Sequence, residues 1–119
     1  MTEGRGDEAV GDGIADLTLA EVLAESGAGL AGVSARTVGD ETTWAAGPAV
    51  FATFAGERAE FRLDPLIAAA ALRTPDTSAS PRGPDWITFA PAILDDHGVD
   101  RAEAWFLSAH RRAAASRRG

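Results

Sequence analysis

Apolar and polar residues alternate over Arg58 to Leu63, and the run Ala49 to Ala55 before it is apolar except for Thr53, with Gly56-Glu57 between the two. A short apolar run followed by a period-two run predicts two strands, and Gly first in a two-residue loop predicts a type II′ hairpin between them. Counting back from that turn puts Val50, Ala52, Phe54, Ala59, Phe61 and Leu63 on a core face. Phe51, Thr53, Arg58, Glu60 and Arg62 fall on the opposite, wet face. Ala31 to Val38 and Glu41 to Ala46 predict a second hairpin around Gly39-Asp40. A last strand, Trp86 to Ala90, stands between Pro84 and Pro91, with Ile87 and Phe89 on one side and Trp86 and Thr88 on the other.

Helical spacing appears in three places. Thr18 with Glu21 forms a capping-box signature, Leu17 and Val22 are placed as a hydrophobic staple, and Gly27 is expected to end that helix. Asp64 caps a second helix with Pro65 at its first position and Leu66, Ile67, Ala70 and Ala71 as its apolar stripe, halted by Thr74-Pro75. Asp100 with Glu103 is expected to open the final helix, whose stripe is Ala102, Trp105, Phe106, Ala109 and Ala113. Pro75 to Pro84 reads as a loop of about ten residues, a length at which loops often carry function. The order predicts an α+β domain, an antiparallel sheet of about four to five strands with helices packed on one face.

Composition narrows the chemistry. At 119 residues the chain has room for one core, hiding roughly 65% of the surface the unfolded chain exposes. Cysteine, lysine, tyrosine, asparagine and glutamine are all absent. The absence of lysine, asparagine and tyrosine fits a GC-rich gene, and the five absences together remove thiolates, Schiff-base lysines, phenols and side-chain amide donors from any proposed reaction. No apolar run approaches the roughly 20 residues of a membrane span. Met1 to Asp12 lack the basic cluster and apolar run of a secretory signal, so a cytoplasmic location is the expectation. The net charge is −7, of which −6 lies in residues 1 to 26. Residues 1 to 13, acidic and Gly-rich, are expected to be disordered, residues 14 to 115 to form one domain, and residues 116 to 119 to be a frayed basic tail.

Trp44, Gly47, Phe51-Ala52, Leu63-Asp64-Pro65, Trp86 and the run from Asp100 to Arg111 together resemble the MmcQ/YjbR-like family of small bacterial proteins, over about two thirds of the chain. The resemblance implies a frataxin-like or double-wing topology and the DNA-binding role with which that family has been labelled. The chain departs from the family pattern at Gly47-Pro48-Ala49, where a Gly-Lys is common.

Three groups of residues are candidates for function. Phe51, Arg58 and Arg62 on the wet face, with Arg82 and Trp86 nearby, would form a surface for a small ligand or a protein partner. Arg111, Arg112, Arg117 and Arg118 on the last helix would meet phosphates, with Arg82, although a chain at −7 repels nucleic acid at long range. Asp95, Asp96, His97 and His110 carry metal-capable groups, but adjacent side chains do not converge on one ion unaided. No nucleophile elbow or phosphate loop is present, and no catalytic residue, metal ligand or cofactor is assigned. The expected function is therefore a non-catalytic binding or interaction domain, monomeric or homodimeric. DNA binding and a small metal-dependent hydrolase are the alternatives.

Overall fold

The computed structural model describes residues 17 to 118, with side chains to residue 115. The expectations for residues 1 to 13, and for the Arg117 and Arg118 side chains, lie outside the described residues. Among the described residues, three helices and six strands follow in the order α1 (Leu19–Ala28), β1 (Val33–Val38), β2 (Glu41–Ala46), β3 (Ala49–Ala55), β4 (Arg58–Arg62), α2 (Pro65–Ala71), β5 (Thr77–Ala79), β6 (Trp86–Phe89) and α3 (Asp96–Arg118). The strands form one antiparallel sheet in the order β1-β2-β3-β4-β6-β5. The fold class is thus α+β, and the sheet has more strands than expected because Thr77–Ala79, inside the expected loop, pairs with β6. Three polar or small residues carry too little alternation to announce a strand.

Three two-residue hairpins build the first four strands. Gly39, Gly47 and Gly56 open them with φ of 63°, 60° and 58°. Only Gly adopts this left-handed region without steric cost. Asp40 and Pro48 have ordinary φ, which makes the first two turns type II′. Glu57 is also left-handed at φ 62°, so the third is type I′ rather than the expected II′.

The second and third turns impose opposite parities on β3. Gly47-Pro48 pairs Ala46 with Ala49, whereas Gly56-Glu57 pairs Ala55 with Arg58 and hence Ala52 with Phe61. A β-bulge reconciles them: Ala45 opposes Val50, Trp44 opposes Ala52, and Phe51 is the extra residue. Phe51 therefore turns into the core, where it is 1% exposed, and Val50 turns out. Both placements reverse the sequence expectation. The remaining core-face residues, Ala52, Ala59, Phe61 and Leu63, are buried, and Phe54 is half-buried against them.

The helices cover one face. The stripe Ala102, Trp105, Phe106, Ala109 and Ala113 is buried throughout, with Trp44 and Phe51 edge-on to Phe106 at 5.5 and 5.2 Å between centroids and Phe89 edge-on to Trp105 at 5.3 Å. Gly27 does not end α1. It lies inside the helix against Trp44, and a Cβ there would come within 2.8 Å of the indole, so the close approach requires glycine. The Thr18–Glu21 capping box forms as expected. α3 starts four residues before the expected Asp100, because Asp95 caps it: the Gly98 N–H donates to Asp95 Oδ1 at 2.8 Å. In α2, Asp64 caps as expected, but Ala68 and Ala71 face the core while Leu66 and Ile67 are exposed.

Candidate functional site

The face of the sheet opposite the helices is polar, and its middle row is set by register. Thr43, Thr53, Glu60, Thr88 and Ser78 lie side by side across β2, β3, β4, β6 and β5. Glu60 is at its centre. Its Oε1 accepts from Thr53 Oγ1 at 3.2 Å and from Arg82 Nε, and its Oε2 accepts from Ser80 Oγ at 2.7 Å and Thr88 Oγ1 at 3.2 Å. Two carboxylate oxygens offer about four lone-pair positions, so this group is saturated.

Arg82 reaches this hub from the loop between β5 and β6. Its Nη2 donates to Glu41 Oε2 at 2.7 Å, its backbone N–H donates to Ser80 Oγ at 3.1 Å, and its guanidinium lies over the Trp86 ring at 5.4 Å. One arginine thus ties β2, β4 and β6 together while its loop folds over the face. Partial burial pushes the Glu60 carboxyl up, but hydrogen bonds from Arg82, Ser80 and Thr88 and the Arg82 charge outweigh it and hold the group below its ordinary 4.5. The bond to Glu60 in turn raises Arg82. A second ion cluster sits at the end of β4, where Asp85 Oδ2 accepts from Arg62 Nε at 3.0 Å and Arg112 Nη1 at 3.1 Å. Burial again opposes ionisation there, and hydrogen bonds from Arg62, from the Asp85 backbone N–H and from Arg112 overcome it, so Asp85 also lies below its ordinary 3.8.

The expected surface residues therefore part company. Arg62, Arg82 and Trp86 are brought together, Trp86 directly opposite Arg62 in the sheet. Arg58 is exposed at the start of β4, opposite Ala55. Phe51 is not on this face at all. On α3, Arg111 is exposed beside a shallow depression with Asp64, Ile67 and Ser108, while Arg112 is engaged by Asp85. His110 packs edge-on against Phe51 at 5.6 Å, and Asp95 is occupied as a helix cap. His97 and His110 are separated along α3 by roughly 20 Å at 1.5 Å per residue. The Asp95, Asp96, His97 and His110 group thus does not converge, and among the described residues no cluster of three or more His, Asp or Glu could hold a metal ion.

Sequence reasoning placed Thr53 and Glu60 on the wet face, and Thr88 with Trp86 on the side of its strand away from Ile87 and Phe89, but gave none of the three a role, and it missed Glu41, Ser80 and Asp85. The available signal was a lone acid between two threonines in register. Its arginine and serine partners come from a loop whose path no periodicity reports.

On the helix side, Leu19, Ala20, Phe54, Pro91, Ala92 and Leu94 line a groove of about 410 Å³ with Thr18 and Glu57 at its rim. No helix among the described residues is long and apolar enough to cross a membrane. No family model, curated protein or solved structure matches the chain.

Proposed function

We propose that this domain is a non-catalytic interaction module that engages a protein partner through the open sheet face, with the Arg82 loop as a fixed rim. The observation that carries this reading is the saturated Glu60 hub. A carboxylate ionised by four donors at neutral pH is a poor base, but it holds Arg82 and Trp86 in one arrangement, and a surface ordered beforehand loses less entropy on binding. Six strands about 4.8 Å apart, each showing two or three residues, give a face of roughly 400 Å², half of what a stable interface buries on each side, which fits a transient partner.

The mixed charge of the face, with Arg36, Arg58, Arg62 and Arg82 beside Glu41, Glu60 and Asp85, fits a polar protein surface better than a polyanion. Arg82 and Arg112, two of the arginines in the nucleic-acid reading, are each neutralised by carboxylates of this chain. Kinship with the MmcQ/YjbR-like family is compatible with this proposal and is not needed for it.

A photo-crosslinking amino acid placed at Arg58, at Trp86 and, on the groove, at Ala20 tests the reading in cells. Adducts are expected from the first two positions, and the Arg58 adduct should weaken when Arg82→Ala is added. Adducts from Ala20 alone, or from none of the three, would count against the open face.

A further inference from the structure

We propose that β1 is an interface strand through which two copies of this chain join their sheets into one continuous antiparallel sheet. The two edges of the sheet differ in a way that folding alone does not require. β5, at one edge, is three residues long and lies beside the loop fastened by Arg82. β1, at the other, is six residues long, and every residue from Ser34 to Val38 is exposed. Exposed edges are usually blunted by proline, bulges, shortness or clustered charge. Over Val33–Val38 there is no proline, no register shift and a single charged residue, Arg36.

The turn at Gly39-Asp40 fixes which backbone groups this edge offers. A two-residue hairpin closes with a hydrogen bond between the residues flanking the turn, Val38 and Glu41, so Val38 directs its backbone groups to β2. Alternation then directs Arg36 and Ser34 to β2 as well, and leaves the N–H and C=O of Val33, Ala35 and Thr37 pointing away from the sheet.

A second copy satisfies these groups by symmetry. With a two-fold axis through Ala35, Ala35 faces its own counterpart and Val33 faces Thr37 in both directions, about six backbone hydrogen bonds in all. Opposed residues share a face, so the helices of both copies remain on one side. On the open face Arg36 then stands opposite Ser34 of the other copy. Moving the axis to Arg36 would set two guanidinium groups directly against each other, and moving it to Ser34 would leave Thr37 without a strand partner. The small side chain of Ala35 at the axis lets the backbones approach. This register is self-complementary: the same strand supplies both sides of the axis, so a second copy of this chain satisfies it with no other sequence.

Because the chain has no cysteine, Ala35→Cys gives a single thiol. In the proposed register the two Cα atoms lie about 5.5 Å apart, within disulfide range. Ala35→Cys should form a covalent dimer about tenfold or more faster than the exposed control Val38→Cys, since pairing raises the effective concentration of its own thiol. By sedimentation, the unmodified chain should be a dimer that dissociates on dilution. Ala35→Glu, which sets like charges at the axis, should be a monomer whose melting temperature matches that of the parent diluted until it too is monomeric, because Ala35 is exposed in a single copy. A chain that stays monomeric at every concentration, equal crosslinking of the two cysteine variants, or a dimer that Ala35→Glu leaves intact would each overturn the proposal.

Discussion

Around β2 and β3 the sheet is held chiefly by shape, and around β4 and β6 ion clusters are added to the packing. In the first region Trp44 and Phe51 meet Phe106 edge to face, and Gly27 brings α1 against the indole with no room for a side chain. In the second, Glu60 and Asp85 each bind arginines that come from elsewhere in the chain, Arg82 from a loop and Arg112 from α3. Apolar packing is insensitive to pH and to moderate salt, whereas a partly exposed ion cluster responds to both. The same sheet should therefore come apart differently at its two ends, depending on how it is stressed.

The largest effect is expected on the shape side. Phe51→Ala leaves a void under α3 and should cost about 3–5 kcal/mol in urea unfolding, with the same loss at pH 5 and pH 7. A loss below 1 kcal/mol would mean that the bulge does not deliver Phe51 to the core. Next, Glu60→Ala should cost about 2 kcal/mol, since it strips Arg82 and three hydroxyls of their acceptor. Amide exchange should rise first in β5 and the loop after it, and not in β2. Uniform exchange across the sheet would dissolve the distinction between the two ends.

A smaller effect separates the ends by pH alone. Glu60 and Asp85 are both held below their ordinary values of 4.5 and 3.8, so the folded chain keeps them ionised where the unfolded chain would take up protons. Their contribution is complete above those values and fades as pH falls through them towards the lower folded values. The double variant Glu60→Gln, Asp85→Asn should accordingly be less stable than the parent at pH 7 and lose less on acidification, as melting curves across that range would report. Parallel acid limbs would show that neither carboxylate contributes. Smallest of all, Thr37→Ala removes the exposed hydroxyl pair with Thr42 at 2.8 Å and should cost about 0.5 kcal/mol or less.

How much of this was legible depended on which end carried the signal. The first hairpin, the faces of β4 and β6, the Thr18 cap and the α3 stripe all followed from periodicity and local turn chemistry, because each is decided by residues within a few positions of one another. Phe51 was misplaced because only one of the two turns bounding β3 was used. Reading Gly47-Pro48 as a hairpin turn too would have exposed the conflict of parity. The cap of α3 departs from expectation because Asp100 with Glu103 imitates a capping box, while Asp95 does the capping five residues earlier with Gly98 as its donor. The candidate site was the least legible part. Arg82 meets Glu41 and Glu60 across separations of 41 and 22 residues, and nothing local marks a salt bridge made by a loop.

The bulge in β3 acts as a joint between two incompatible countings of the chain, and this has a consequence for insertions and deletions. Removing Val50 would leave an unbroken ladder from the Gly47-Pro48 turn to the Gly56-Glu57 turn, with every residue of β3 paired. It would also rotate the phenylalanine now at Phe51 onto the open face and empty its place beneath Phe106. By the criterion of strand pairing the shortened chain is the better hairpin, yet it should be the worse protein. One supernumerary residue is what lets two regular hairpins share a single hydrophobic core.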